Sequence, residues 1–168
     1  LSLWTGAAST LLSLALAQLA VAGAGIAART GRLRSIILPL IALPHLALGI
    51  GLVLLLSPSG LLMRLLSPWL TGHAQPPDWL VVQDPLGLSL ILGLVLKETP
   101  FLALMLLGAL TQVPSGRFLD LGRTLGYGSL KAWLVGVAPL LQRQIRLPIA
   151  AVFVYGCTNV DLALPLGP

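Results

Sequence analysis

The feature that most constrains this chain is a long run, residues 3–28, in which no side chain carries a charge. A helix needs roughly 20 mainly apolar residues to cross a bilayer, so this run is long enough to span one. It is too long and too well flanked to be a signal peptide. Of all 168 residues, 57% are hydrophobic and only 9% are charged, whereas soluble domains carry roughly 25% charged residues. These values exclude a soluble globular domain and predict an all-α, polytopic transmembrane helical bundle.

Further apolar runs predict further spans in the rest of the chain. Four spans are expected, at about 3–28, 36–56, 86–110 and 145–168. The last is irregular in its second half, where Asn159, Asp161 and Pro165 interrupt the apolar run. Because the sequence begins at Leu1 and stops inside that run, we expect residues 1–168 to be one membrane domain truncated at both ends.

The segment between the second and third spans is too polar to cross a bilayer. Residues 60–70 within it predict a short amphipathic helix at the membrane interface, where tryptophan such as Trp69 is favoured. In the transporter described below, Arg64 and Trp69 would lie near the surface that receives a binding protein. His73, Asp78 and Asp84 share this outer loop, but their proline-rich surroundings are typical of turns.

The basic residues predict the orientation of the spans. Eight of the ten Lys and Arg residues lie in two loops that are separated by two crossings and therefore share a side. By the positive-inside rule that side is the cytoplasm, which predicts a multi-pass protein of a bacterial cytoplasmic (inner) membrane. The high sequence pI, about 10.4, follows from these anchoring charges, so it is not evidence for a nucleic-acid partner. The eight residues are Arg29, Arg32, Arg34, Arg117, Arg123, Lys131, Arg143 and Arg146.

The cytoplasmic loop 111–144 is too long for a simple turn. The apolar positions of 118–125 predict a short helix that ends at Gly126 and Gly128, since glycine allows the left-handed geometry of a helix C-terminus. A second amphipathic stretch, 130–141, is expected to be stopped or bent at Pro139. A helix that projects into the cytosol in this way is a suitable contact for a partner with a groove.

This loop resembles that of binding-protein-dependent ABC importer permeases, whose pattern is Glu-Ala-Ala, three residues, Gly, nine residues, then Ile-x-Leu-Pro. Aligned on Gly126, the triplet falls on Asp120, Leu121 and Gly122, and the final proline falls on Pro139. The spacing is kept, identity is kept at Gly126 and Pro139, and Asp replaces Glu. The segment 122–126, GRTLG, and Val113-Pro114 before it are also typical of these proteins. The chain is most similar to permeases of the type I thiamine, iron(III), polyamine and sulfate group.

The resemblance implies a fold, partners and site residues. The fold is the type I permease bundle with a short cytoplasmic coupling helix. The partners are a cytoplasmic ABC ATPase dimer that uses ATP and Mg, a second permease half as a homodimer, heterodimer or fused tandem, and a periplasmic or extracellular substrate-binding protein. This chain would bind no cofactor, and it has no phosphate-binding GxxxxGK[ST] loop. The residues implied in ATPase coupling are Asp120, Leu121, Gly122, Arg123, Leu125, Gly126 and Pro139.

Charged residues inside the third span are the second functional signal. A charge at the centre of a span costs roughly 2.5–3.5 kcal/mol on translocon scales, so Lys97 and Glu98 are expected to face a polar cavity or partners on other helices. They either line the translocation path or form interhelical hydrogen bonds that fix packing. Thr99 is expected to help satisfy the carbonyl freed by Pro100. Further candidates for the path are His45, Asn159 and Asp161.

Other classes of function receive less support from the sequence. Cys157 is the single cysteine, which excludes an internal disulfide, and no Cys/His spacing indicates a metal site. No GxSxG or HExxH motif is present, so the chain is not expected to be an enzyme. The alternative to a permease is a noncatalytic membrane scaffold or assembly subunit whose loop recruits a cytoplasmic partner without transport.

Overall fold

The described part of the chain is all-helical, without a strand. The computed structural model describes residues 1–67, 69–70, 72 and 81–168. The predicted turn at His73 and Asp78 lies outside these residues. A five-residue π-helix, Trp133–Val137, separates α7 from α8. The α-helices are α1 Ser2–Ile26, α2 Thr30–Ala42, α3 His45–Leu56, α4 Leu61–Leu66, α5 Leu88–Leu110, α6 Ser115–Thr124, α7 Ser129–Ala132, α8 Ala138–Gln144, α9 Arg146–Thr158 and α10 Ala163–Leu166.

Three helical segments are long and apolar enough to cross a membrane: Ser2–Ile26, His45–Leu66 and Leu88–Leu110. The first and third correspond to the spans predicted at 3–28 and 86–110. Helices of this length and composition are those of a membrane protein, as the sequence predicted.

The second predicted span, 36–56, is not one helix. The chain breaks at Leu43, whose extended backbone (ψ 128°) separates α2 from α3. Pro44 explains the break, because a proline disfavours the helical conformation of the residue before it and has no N–H to donate. The segment of spanning length is instead His45–Leu66, in which α3 and α4 follow one another.

The last predicted span, 145–168, is not one helix, because α9 ends at Thr158 and α10 begins only at Ala163. With the helical segment Ser129–Gln144 before it, α9 forms a pair bent by 70°. The bend lies at Ile145, which departs from helical geometry with ψ 20°.

The amphipathic stretch 130–141 does not stop at Pro139, because the helical segment Ser129–Gln144 runs through this residue. A proline inside a helix has no N–H to donate to the preceding turn, and that turn is the π-helix Trp133–Val137.

Helices α1 and α5 run parallel to each other. At their starts, Trp4 Nε1 donates to the Leu86 carbonyl over 3.2 Å. Farther along, Ser13 reaches Glu98. Because α1 and α5 point in the same direction, the chain must cross back once between them. The segments that follow α1 and α5 therefore lie on the same side of the bundle. Those segments are the two basic loops of the sequence.

Helix α9 packs against α1 in the opposite direction. Gly156 meets Gly6, where a Cβ on Gly156 would lie 3.1 Å from the Gly6 Cα. At the other end of α1, Gly25 faces the ring of Trp133, which is fully buried. Small residues at such crossings let helix backbones approach closely, which is how helices pack within a membrane.

The N-terminal end of α5 is stabilised by Asp84. Its carboxylate accepts hydrogen bonds from the backbone N–H groups of Leu88, over 2.8 Å, and Ser89, over 3.0 Å. Burial by itself raises the pKa of Asp84, but the hydrogen bonds from Leu88 and Ser89 outweigh it, so the pKa lies below its ordinary value. The turn predicted around Asp84 therefore satisfies the first N–H groups of a helix of spanning length, three residues before the N-cap residue Gly87.

Candidate functional site

The short cytoplasmic helix predicted from the sequence is α6, and it ends as predicted at Gly126. Gly126 has φ +76°, a conformation that glycine adopts without strain. Its N–H donates to the Arg123 carbonyl over 3.0 Å, and the Tyr127 N–H donates to the Gly122 carbonyl over 2.9 Å. These two bonds form a Schellman motif. The end of α6 is thus fixed by the backbone itself.

One face of α6 is turned outward. Leu121 and Leu125 are 58% and 63% exposed and lie four residues apart, which places them side by side on the helix. Asp120 and Arg123 form an ion pair over 3.0 Å beside them, with both side chains largely exposed. We call the exposed residues Asp120, Leu121, Arg123 and Leu125 the outer face of α6.

The opposite face of α6 packs against the next helices. Gly122 lies so close to Ala132 of α7 that a Cβ on Gly122 would overlap the Ala132 side chain. Phe118 covers Gly136 of the π-helix, where an added Cβ would lie 3.3 Å from the Phe118 Cβ. Leu119 is buried between them. Helix α6 is therefore attached to the helical segment that leads to α9.

The structure brings together residues 120–126 of the predicted coupling set, but Pro139 lies apart from them. Pro139 faces α1, where it lines a cavity of about 380 Å³ with Gln18 and Gln142. Gln18 is 5% exposed, and neither atom of its amide has a hydrogen-bond partner among the described residues. The sequence analysis missed Gln18, although a glutamine in the middle of an uncharged span is a visible signal.

A second cavity, of about 390 Å³, collects three residues predicted to line a path. They are His45 from α3 and Lys97 and Glu98 from α5. Tyr155 of α9, which sequence reasoning did not single out, also lines it, and its ring centre lies 5.2 Å from that of His45. The remaining wall is apolar and consists of Ile41, Phe101, Ala151 and Val152. We call this space the central cavity.

The Lys97 ammonium forms hydrogen bonds with the backbone at the break between α2 and α3. Its Nζ donates to the Ile41 carbonyl over 2.8 Å and to the Leu43 carbonyl. These carbonyls belong to the last turn of α2, where no helical N–H is available to them. The predicted partner on another helix is confirmed, and the ammonium secures a helix end.

Glu98 turns to a different helix. Its carboxylate lies 3.4 Å from Ser9 Oγ and 3.2 Å from Ser13 Oγ, both on α1. Within the described residues the one ion pair is Asp120–Arg123, so Glu98 is not paired with Lys97. Ser9 and Ser13, spaced four apart on an apolar helix, are a small-polar pattern from which this contact was foreseeable.

The other three candidates lie outside the central cavity. The Thr99 hydroxyl has no hydrogen-bond partner in the described part of the chain, so it does not satisfy the carbonyl freed by Pro100, as had been expected. Asn159 Oδ1 accepts from the Leu162 N–H over 2.7 Å and stabilises the turn after α9. Asp161 is exposed.

The geometry of these residues is the basis on which a function can be proposed. No protein-family model matches the chain, and no curated protein matches it. Among the described residues, no three His, Cys, Asp or Glu side chains are grouped so that they could hold a metal ion.

Proposed function

We propose that this chain is the transmembrane permease subunit of an ATP-driven ABC importer in a bacterial cytoplasmic membrane. The observation that supports the proposal best is the outer face of α6. It presents two exposed leucines beside an ion pair, on a helix that is rigidly attached to the rest of the bundle through Gly122 and Phe118. Such a surface suits the groove of a cytoplasmic ATPase dimer.

A series of connected helices joins this face to the central cavity. Helix α6 packs on α7 and the π-helix, which continue into α8, and the 70° bend at Ile145 connects α8 to α9. Helix α9 provides Ala151, Val152 and Tyr155 to the cavity wall. A displacement of α6 by the closing ATPase would therefore reach the wall by rigid-body movement. ATP and Mg are used in the ATPase, and this chain supplies the path.

The remaining partners follow from the same proposal. A second permease half would complete the translocation path, and a periplasmic or extracellular binding protein would deliver the substrate. The outer surface near α4 suits that delivery, because Trp69 and Leu70 are almost fully exposed there. Lys97 and Glu98 are held by protein groups here, so in this proposal the structure represents a closed state of the path.

The outer face is tested with the double variant Leu121→Ala/Leu125→Ala. Each removed side chain contributes roughly 1.5–3 kcal/mol when fully buried at an interface, so we expect the affinity for an ABC ATPase isolated by co-purification with this chain to fall at least about tenfold. ATP-dependent uptake should fall with it.

The matched control is Leu61→Ala/Leu65→Ala on α4, which removes two leucines that have the same spacing and are also more than half exposed. It should leave ATPase affinity unchanged. Equal affinity of the two double variants for the ATPase would contradict the proposal.

The second candidate function is a noncatalytic scaffold that recruits a cytoplasmic partner through the same face. It is favoured by the protein contacts of the two charged residues, Lys97 with the end of α2 and Glu98 with Ser9 and Ser13, as expected of a static bundle. Substituting Ala151→Trp would fill the central cavity. A transporter would lose uptake while keeping its ATPase, whereas a scaffold would keep all its functions.

A further inference from the structure

Glu98 is an acidic side chain buried where three helices meet. It is 3% exposed on α5, and it contacts α1 through Ser9 and Ser13. On the α9 side, a Cβ added to Gly156 would lie 3.2 Å from Glu98 Oε1. No backbone N–H donates to the carboxylate among the hydrogen bonds of the described residues.

Within the described ranges of the chain, no positive charge faces this carboxylate. Helix α1 contains no charged residue, and the Lys97 ammonium is directed to Ile41 and Leu43. The other titratable groups near it are His45 on α3 and Tyr155 and Cys157 on α9, and the exposed Asp161 follows α9. An ionised carboxylate in a helical bundle of spanning length needs a partner charge or water, because its burial alone is strongly unfavourable.

The hydroxyls of Ser9 and Ser13 do not supply the short hydrogen bonds that an ionised carboxylate needs. Ser9 Oγ lies 3.2 Å from the Gly6 carbonyl and 3.4 Å from Glu98 Oε1, and its single proton can serve only one of them. Hydrogen bonds to an ionised carboxylate are typically shorter, about 2.5–2.7 Å. If the Ser9 proton goes to Gly6, the Ser9 oxygen is free to accept a proton from a carboxylic acid.

We propose that Glu98 is a proton-binding site in the core of the bundle, where the neutral acid donates its one proton from Oε1 to Ser9 Oγ and accepts a hydrogen bond from Ser13 at Oε2. When the carboxylate is exposed to water, it takes a proton from a hydronium ion and releases a water molecule. The central cavity, which Glu98 borders, is the route for this exchange.

This site does not depend on ATPase coupling, so it is separate from the importer function. It is connected with that function only through α9. This helix covers Glu98 at Gly156, and in an importer it would also be the moving wall of the central cavity. In an importer, protonation of Glu98 would therefore follow the opening of the central cavity.

The test uses the fact that Glu98 is the only glutamate in the sequence. The protein is labelled with glutamate carrying ¹³C at its side-chain carboxyl and is reconstituted in phosphatidylcholine nanodiscs. The carbon shift of this group separates a neutral acid from a carboxylate. At neutral pH we expect one signal at the neutral-acid position, and we expect Glu98→Gln to remove it. Free glutamate carrying the same label, measured in acidic and in alkaline buffer, provides the reference positions of the neutral acid and the carboxylate.

Two results would overturn the proposal. One is a Glu98 signal at the carboxylate position at neutral pH. The other is a signal that moves when choline chloride is replaced by sodium chloride at constant pH, which would identify a sodium site. Because the labelled wild-type protein gives both readings, the test does not depend on the folding of any variant.

Discussion

Gly122 of α6 lies directly against Ala132 of α7, with no space for a side chain between the two helices. Gly116, on the same helix, has no neighbouring atom within 4 Å of an added Cβ. Alanine substitutions at Gly122 and Gly116 therefore separate the effect of close helix packing on stability from the effect of helix propensity, within one helix.

We expect Gly122→Ala to push α6 away from α7. Overpacking of this kind costs about 1–3 kcal/mol, so the unfolding free energy should fall and the outer face should be displaced from its ATPase. Gly116→Ala should instead stabilise the helix by about 0.5–1 kcal/mol. Chemical unfolding in detergent measures both effects. Equal stability of the two variants would mean that α6 does not pack on α7.

Gly126→Val should strain the turn that ends α6. Gly126 has φ +76°, and a left-handed conformation costs an ordinary residue roughly 1–2 kcal/mol, with β-branched residues among the worst. ATPase association and uptake should weaken while the protein stays in the membrane. Gly128→Val is the control, because Gly128 has an extended backbone (φ −64°, ψ 154°) and open space around it. Normal co-purification and uptake in Gly126→Val would count against a coupling role.

Lys97→Met should loosen the break between α2 and α3. Removing the ammonium leaves the Ile41 and Leu43 carbonyls, at a partly buried helix end, without their donor, and a typical hydrogen bond contributes about 0.5–1.5 kcal/mol to stability. Amide hydrogen exchange should accelerate around residues 41–48. Lys131→Met is the matched control, since Lys131 is exposed and its ammonium lies over the Tyr127 ring, 4.4 Å from the ring centre, a contact worth about 0.5–1 kcal/mol. If amide hydrogen exchange around residues 41–48 is unchanged in Lys97→Met, Lys97 does not stabilise the break between α2 and α3.

The stabilisation by Asp84 should depend on pH. The pKa of Asp84 is lowered in the folded chain because hydrogen bonds from Leu88 and Ser89 outweigh the effect of burial. A lowered pKa adds stability above the unfolded value, about 3.9, and that stability is lost as pH falls through the folded value. The difference in unfolding free energy between wild type and Asp84→Asn should be constant near neutral pH and should shrink in acid. A difference that grows in acid would contradict this sign.

Gln18→Leu should stabilise the isolated chain. The Gln18 amide is buried without a partner among the described residues, and the desolvation of such a group costs about 1–3 kcal/mol. Replacing it with leucine removes this cost, and we expect a higher unfolding midpoint. Gln142→Leu, at an exposed residue lining the same cavity, should change stability by less. A lower midpoint for Gln18→Leu would show that the amide is paired.

The sequence predicted most of what depends on local rules. Apolar length located α1 and α5, and glycine chemistry located the end of α6, because these properties need only the residues themselves. The break at Leu43 could be predicted only by giving the conformational effect of Pro44 more weight than the length of the apolar run around it. The contacts of Lys97 and Glu98 were foreseen as interhelical, but their partners were not identified, since Ile41, Leu43, Ser9 and Ser13 are far away in the chain. Tyr155 was missed for the same reason.

The π-helix Trp133–Val137 holds one residue more than an α-helix needs for the same rotation of the chain. A residue deleted from an ordinary α-helix turns everything after it by about 100°. A residue deleted from this π-helix would instead let the turn close into α geometry, and α8 would keep its orientation toward α1. Trp133, Val137 and Leu141, which are buried at intervals of four, would stay on a shared side. Single-residue deletions should therefore be tolerated more readily during evolution here than in the regular helices α1 and α5.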